Sequence, residues 1–363
     1  MHLFLLHLYL ARMSQPSSPF SCTYTPSFPQ LLSKLGCTLI ITTYQAGKVI
    51  FISPTSTDKL IQLPRTFNRP MGLSVYKNKM ALATRTSVTT FINEPSLNLN
   101  YHKTPTPYDA MFSPRATYYT GPLDLHDIHF HNRHLLAVAT AFNCICKITP
   151  EESFTPVWKP GFVSAIVAED RCHLNGLAIL NDDWVVTAFN QGNTPRSWRS
   201  DILHSGVLIH AKSQEIILNH LAIPHSPRVY QDKLYLLLSG QGAMVEVDIQ
   251  KKSYKVIAKV PAFIRGLCFL SHYAFIGISK LRKSSSLFDK LSVEAQQRQA
   301  GIIVIDTNNG NIEAELCYQN SVEEIYDVQL LPGILRPNIL SPDKLEHQLA
   351  IVSQGHSWWA SVE

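Results

Sequence analysis

His173-Leu-Asn-Gly-Leu-Ala-Ile179, a short polar turn and then Trp184-Val-Val-Thr-Ala188 form the phrase whose reading decides the fold. A polar residue opens it, small and apolar residues follow, and a second apolar run comes after the turn. Apolar, β-branched runs bounded by Gly, Pro, Asn and Asp read as paired strands. The phrase recurs as Arg69-Pro-Met-Gly-Leu-Ser-Val75, His126-Asp-Ile-His-Phe130, His225-Ser-Pro-Arg-Val-Tyr230, Arg265-Gly-Leu-Cys-Phe269 and Glu324-Ile-Tyr-Asp-Val-Gln-Leu330. Successive openings lie 40 to 59 residues apart. A strand repeat of roughly 40–50 residues is the mark of propeller blades. Six copies predict an all-β, six-bladed β-propeller, with a sandwich or two smaller barrels as the alternatives.

Further strands are expected over residues 206–210, 215–219, 243–248, 254–260, 301–306 and 311–316, the last two joined through the hairpin dipeptide Asn309-Gly310. The final repeat is short of two strands. Residues 38–44 and 48–53, split by Ala46-Gly47, are expected to pair with it, so that the N-terminus closes the ring and no sheet edge stays open. The reading is one propeller domain over 28–355, preceded by a disordered or loosely packed leader over 1–27. Insertions fall near 93–122, 151–170 and 284–299. The first two are rich in aromatic residues and are expected to cover one face of the disc, and the third is polar.

Of the 363 residues, 45 % are hydrophobic and only 16 % charged, which suits a large core. The net charge of +5 is scattered, with no basic run, and this argues against nucleic acid as a partner. The longest apolar stretch, residues 3–11, is interrupted by His7 and has no Lys or Arg before it. It is too short for a membrane span and a poor signal peptide. Seven cysteines without a regular framework point to a reduced, cytoplasmic setting. The Cys144-x-Cys146 pair reads as a ligand pair or, more simply, as two buried side chains.

The opening loops of the inner strands share one face of the disc. That places Arg69, His126, Asp127, His173, Asn175, His225, Arg228, Arg265, Glu324 and Asp327 in one ring at the channel mouth. Convergent polar groups in a concavity are the default site hypothesis. His126, His173 and His225 would suit a divalent transition metal, with Asp127, Glu324 and Asp327 orienting the rings. Alternatively they hydrogen-bond a ligand, or only backbone and water. The arginines would grip carboxylate or phosphate, which predicts a small anionic molecule or a protein segment as partner. For Arg265 the competing reading is a salt bridge with Glu324 or Asp327. Two function classes follow: a binding propeller, and a metal-dependent hydrolase or lyase. Fold alone does not choose between them. The sequence holds no Gly-x-Ser-x-Gly, phosphate loop or His-Glu-x-x-His, and the neighbours Cys172 and His173 point to opposite faces of a strand.

Thr42-Thr-Tyr-Gln-Ala-Gly-Lys48, Arg69-Pro-Met-Gly72, Asp170-Arg-Cys-His-Leu-Asn-Gly176, Pro224-His-Ser-Pro-Arg228, Ile264-Arg-Gly-Leu267 and Glu324-Ile-Tyr-Asp-Val328, in this order, resemble the signatures of a known family. It is a bacterial family of conserved proteins of unknown function, sometimes joined to tetratricopeptide repeats. The resemblance runs over about residues 28–337 and implies no activity. Gln299-Ala300 stands where the family often has Cys, and His210 where an acidic residue is usual.

Overall fold

The computed structural model describes residues 18–99, 101, 108–180, 182–280, 298–354 and 356–361. Six antiparallel sheets stand as blades around a central channel. Each blade is written here from its innermost strand outward. Blade 1 is Leu73–Tyr76, Lys79–Ala83, Ser87–Asn93 and Ala110–Tyr119, and blade 2 is Leu125–His131, His134–Ala139, Cys144–Ile148 and Thr155–Trp158. Blade 3 is Leu174–Leu180, Asp183–Ala188, Gly206–His210 and Glu215–Leu221, and blade 4 is Pro224–Tyr230, Lys233–Leu238, Ala243–Asp248 and Ser253–Lys259. Blade 5 is Phe263–Leu270, Tyr273–Ser279, Gly301–Asp306 and Ile312–Tyr318.

Blade 6 closes the ring. Its innermost strand, Asp327–Pro332, comes from the last repeat, and Cys37–Thr43, Lys48–Pro54 and Leu60–Thr66 come from the N-terminal side. The N-terminus thus supplies three strands rather than the expected two. Leu60–Thr66 carries Pro64, and a proline inside an apolar run argues against a central strand. On the outermost edge it costs no ladder bond.

Cys37–Thr43 is buried at every position. Both of its faces pack on another blade, so it reads as an unbroken apolar run rather than an alternating one. Leu39 and Ile41 face Phe275, Ile302 and Val304 of blade 5, whereas Ile40 faces Leu73, Leu82 and Phe91 of blade 1. Each such Leu or Ile contributes about 1.5–3 kcal/mol on full burial. Between the blades, hydroxyls at the ends of second strands tie one blade to the opening of the next. Thr42 donates to Met71 O, Thr140 to Leu174 O, Ser239 to Ile264 O and Ser279 to Ile325 O. They link four of the six blade junctions.

Within the span 1–27 read as a leader, Cys22–Tyr24 pairs with Ile312–Tyr318 as a fifth strand of blade 5. The helix Ser27–Leu35 buries Phe28, Leu31 and Leu32 and stops at Gly36, whose φ of 59° and amide bond to Leu32 O end it. Polar Ser and Pro residues around Cys22–Tyr24 hide that strand from a compositional reading. Residues 1–17 of that leader, and nearly all of the insertion at 284–299, lie outside the described residues.

The insertion at 93–122 is corrected. Its second half is Ala110–Tyr119, the fourth strand of blade 1, and Phe112 is buried there while Tyr119 stays exposed. Pro114, at a register shift, masks the strand. Likewise 151–170 contains Thr155–Trp158, the outer strand of blade 2. Ala110–Tyr119 is also joined by Pro337–Ile339, which pairs with it in parallel. A hairpin, Ala350–Ser353 with His356–Trp359, then rests on the helix Ser96–Leu99 through a bond from the Trp359 ring to Leu97 O.

Removing residues 1–55 strips two strands from blade 6 and bares Asp327–Pro332 as an edge. The remaining 56–363 chain is expected to be insoluble or to lack a cooperative melt by circular dichroism. A soluble fragment with a sharp transition would refute closure through this blade.

Candidate functional site

Strand alternation alone would send His126 and Asp127 to opposite faces of blade 2. A β-bulge redirects them. Ala137 pairs with Ile128 and Ala139 with Leu125, so His126 and Asp127 together oppose Val138. Blade 3 shifts at Asn175, blade 4 between His225 and Arg228, and blade 5 at Gly266. Bulges of this kind re-aim side chains. Here they sort the ring expected from the sequence into two tiers.

The deeper tier lies on the channel axis. Arg228 donates to Asp127 at 2.8 and 3.3 Å and to Asp327 at 3.5 Å. These residues come from blades 4, 2 and 6. Asp127 also accepts the amides of Ile128 and Leu177, and His129 Nε2 lies 3.1 Å from it. Asp327 accepts the amides of Leu73 and Val328. Arg228 and His129 hold the Asp127 carboxyl well below its ordinary range despite its burial. Burial pushes the Asp327 carboxyl up, helped by the negative Asp127, because its arginine contact is the longer one. Asn175 turns inward within blade 3, accepting from Thr187 and donating to His173 O. Every one of these groups is spoken for by the fold, so Asp127, Asn175, Arg228 and Asp327 leave the mouth. Gly176 belongs to the same crowding, since a Cβ there would lie 2.3 Å from the Pro227 ring.

The upper tier surrounds a cavity of about 350 Å³ at the mouth. His126, His173, His225, Arg265 and Glu324 line it, as the sequence implied. Arg69 stands at its rim, donating to the Tyr44 hydroxyl at 3.2 Å and lying 5.3 Å over that ring. The Arg265 guanidinium lies 3.4 Å over the Tyr326 ring. The sequence reading missed the aromatic wall: Phe189, Trp198, Phe263, Tyr44 and Tyr326. Phe189 follows the second strand of blade 3, where other blades place a hydroxyl. Trp198 sits in the link 189–205, whose length was the available signal. A larger groove of about 780 Å³ between blades 1 and 2, near Tyr76 and Arg133, is lined by none of the ten ring residues.

Each histidine at the mouth is fixed through Nδ1. His126 Nδ1 lies 3.1 Å from Asp124 O, and His173 Nδ1 lies 3.0 Å from the Asp170 carboxylate. The Trp198 ring also donates to Asp170. His225 Nδ1 lies 2.8 Å from Ser239 Oγ, whose own proton goes to Ile264 O. Burial, reinforced by Arg265 and against the pull of Asp124, lowers the His126 pKa to about 4. Burial and then Arg265 hold His225 well below its ordinary value. Both rings are therefore neutral at pH 7.

The metal reading is corrected too. His126 and His173 meet edge to face with centroids 4.9 Å apart, but Phe189 stands between His173 and His225, 4.5 Å from the first and 5.1 Å from the second. Among the described residues no group of three or more His, Cys, Asp or Glu side chains is disposed to hold a metal ion. Cys144 and Cys146 are buried, and burial pushes the Cys144 thiol up to about 12, so this pair is core.

Residues 26–340 match the family model described as "Domain of unknown function (DUF4915)". The chain belongs to that family. This DUF4915 domain spans the whole ring, from the helix Ser27–Leu35 to the strand Pro337–Ile339. No curated protein matches the chain. Among solved structures, a chain of the "Crystal structure of Nidogen/Laminin Complex" is similar, at 9 % identity and a TM-score of 0.55. The likeness covers 82 % of this chain and 99 % of that one. It supports the propeller fold and nothing further.

Two measurements test the tiers. Arg228→Met leaves two buried carboxylates without their cation and is expected to destabilise the fold by about 3–5 kcal/mol in urea unfolding. A loss below about 1 kcal/mol would show that the axial ion cluster is dispensable. His126 is neutral when folded and takes up a proton more readily when unfolded, so its contribution is present above its ordinary value of 6.5 and is lost as pH falls toward about 4. Asp327 acts with the opposite sign, which makes the comparison between variants the readout. Acidification from about pH 7 to about pH 5 should therefore cost His126→Gln less stability than wild type. Equal losses would contradict a buried neutral ring.

Proposed function

We propose that the channel mouth binds a small anionic ligand, with Arg265 as the group that selects its charge. One observation carries the reading. Arg265 lines the cavity with its guanidinium over the Tyr326 ring. Stacking leaves the in-plane N–H donors of a guanidinium free to meet a carboxylate or phosphate in two-pronged fashion. The neutral histidines and the aromatic wall keep the surroundings weakly solvated, where a charge-assisted bond is strongest. Lys280 lies beside it, 3.4 Å from Glu323, and adds positive potential. A chain segment ending in a carboxylate would satisfy the same contacts, and the tetratricopeptide fusions implied by the motif resemblance agree with such a partner.

The Asp170–His173 pair supports a second reading, that the mouth performs metal-free acid–base chemistry. A carboxylate behind an imidazole orients it as a general base. The seven free cysteines support a reducing, cytoplasmic compartment, and no helix among the described residues is long and apolar enough to cross a membrane.

Ligand binding to the folded state raises the melting temperature by mass action. Small carboxylates or phosphate are expected to raise it for wild type and to have no effect on Arg265→Ala. An equal rise in both proteins would place the anion elsewhere and end this assignment.

A further inference from the structure

We infer that the ligand is a monosaccharide-sized polyol acid: a ring bearing several hydroxyls and one carboxylate. The inference rests on the anion-binding reading and specifies the rest of the molecule. It follows from the direction of the hydrogen bonds behind the three histidines.

A carbonyl oxygen only accepts, so His126 Nδ1, at 3.1 Å from Asp124 O, carries a hydrogen. The Asp170 carboxylate imposes the same on His173 Nδ1. Ser239 has one hydroxyl proton, and Ile264 O takes it, so His225 Nδ1 donates to Ser239 Oγ. With Nδ1 protonated, a neutral imidazole has a bare lone pair at Nε2. His126 and His225 are neutral at pH 7. The mouth therefore presents hydrogen-bond acceptors from blades 2 and 4. Bare Nε2 lone pairs reward hydroxyl donors. Arg265 supplies the charge that favours a carboxylate.

The remaining wall agrees. Phe189 and Trp198 pack with His173, at ring separations of 4.5 and 4.4 Å. An apolar face of this kind suits the C–H face of a saturated ring. A cavity of about 350 Å³ stands at the small end of ligand sites. The Tyr326 hydroxyl is buried there beside Arg265, and it can either donate to or accept from a ligand. The hydroxyls of such a ligand would each give a proton to Nε2 while the carboxylate meets Arg265.

Calorimetric titration at neutral pH separates the parts, using three probes of similar size: glucuronate, cyclohexanecarboxylate and glucose. Two hydroxyl–imidazole bonds are expected to make glucuronate bind about tenfold more tightly than cyclohexanecarboxylate, with glucose weaker than glucuronate. His126→Phe keeps the ring volume and removes an acceptor, so it should narrow that ratio, as should His225→Phe. Should one variant fail to fold, the other keeps the test. Equal affinities for glucuronate and cyclohexanecarboxylate, both abolished in Arg265→Ala, would overturn the polyol inference while leaving the anion site standing. Binding of glucose as tight as glucuronate, unaffected by Arg265→Ala, would overturn the anion site itself. No heat with any of the three probes would reject the polyol acid, and phosphate would then show whether the anion site survives.

Discussion

One arginine on the axis, answered by two aspartates from other blades, sets the geometry on which the rest of the molecule depends. Arg228, Asp127 and Asp327 belong to alternate blades, and each aspartate also accepts an amide from the next inner strand, Leu177 for Asp127 and Leu73 for Asp327. Burying three charges is costly in desolvation and is repaid only when each lone pair is matched. The cluster therefore specifies distance and angle between blades more than it adds stability. Apolar packing between blades tolerates small slides, whereas this cluster does not. Where the inner strands stand determines where the histidines above them stand.

The upper tier is built on different terms. Its three imidazoles are oriented from behind by Asp124 O, Asp170 and Ser239, and burial keeps those of His126 and His225 neutral. Holding an imidazole by one nitrogen fixes the chemistry offered by the other. Arg265 and Lys280 line the cavity, the Arg265 guanidinium lying over the Tyr326 ring. The two tiers lie one residue apart in sequence at His126 and Asp127, yet one is occupied by the fold and the other is open. The bulge in blade 2 is what separates them.

The repeat of opening residues made the blades legible, and with them the face that carries the mouth. The same repeat could not separate the tiers, because a bulge has no sequence mark of its own at His126-Asp127 or Leu174-Asn175. Charge type misled as well: Arg228 and Arg265 look alike in sequence, and only the neighbouring aspartates distinguish a strut from a cavity-lining side chain. Prolines hid true strands, since Pro64 and Pro114 sit on outer or irregular positions that do without the amide. Phe189 and Trp198 were invisible because they come from a link between strands rather than from the repeat. The short strand Cys22–Tyr24 owes its structure to blade 5, an influence that no local pattern records.

Blade 6 joins residues far apart in the chain, and the mouth inherits that property. Tyr44 follows its second strand, Cys37–Thr43, while Glu324 and Tyr326 precede its innermost strand, Asp327–Pro332. On each flank the chain overlaps the neighbouring blade, through Cys22–Tyr24 on one side and Pro337–Ile339 on the other. During synthesis, five blades can form while one wall of the cavity is still missing. The pocket comes into being only when residues 324–332 dock against the strand made near the beginning. A molecule bound at the mouth would therefore meet a ring that has already shut and act as a clasp on it.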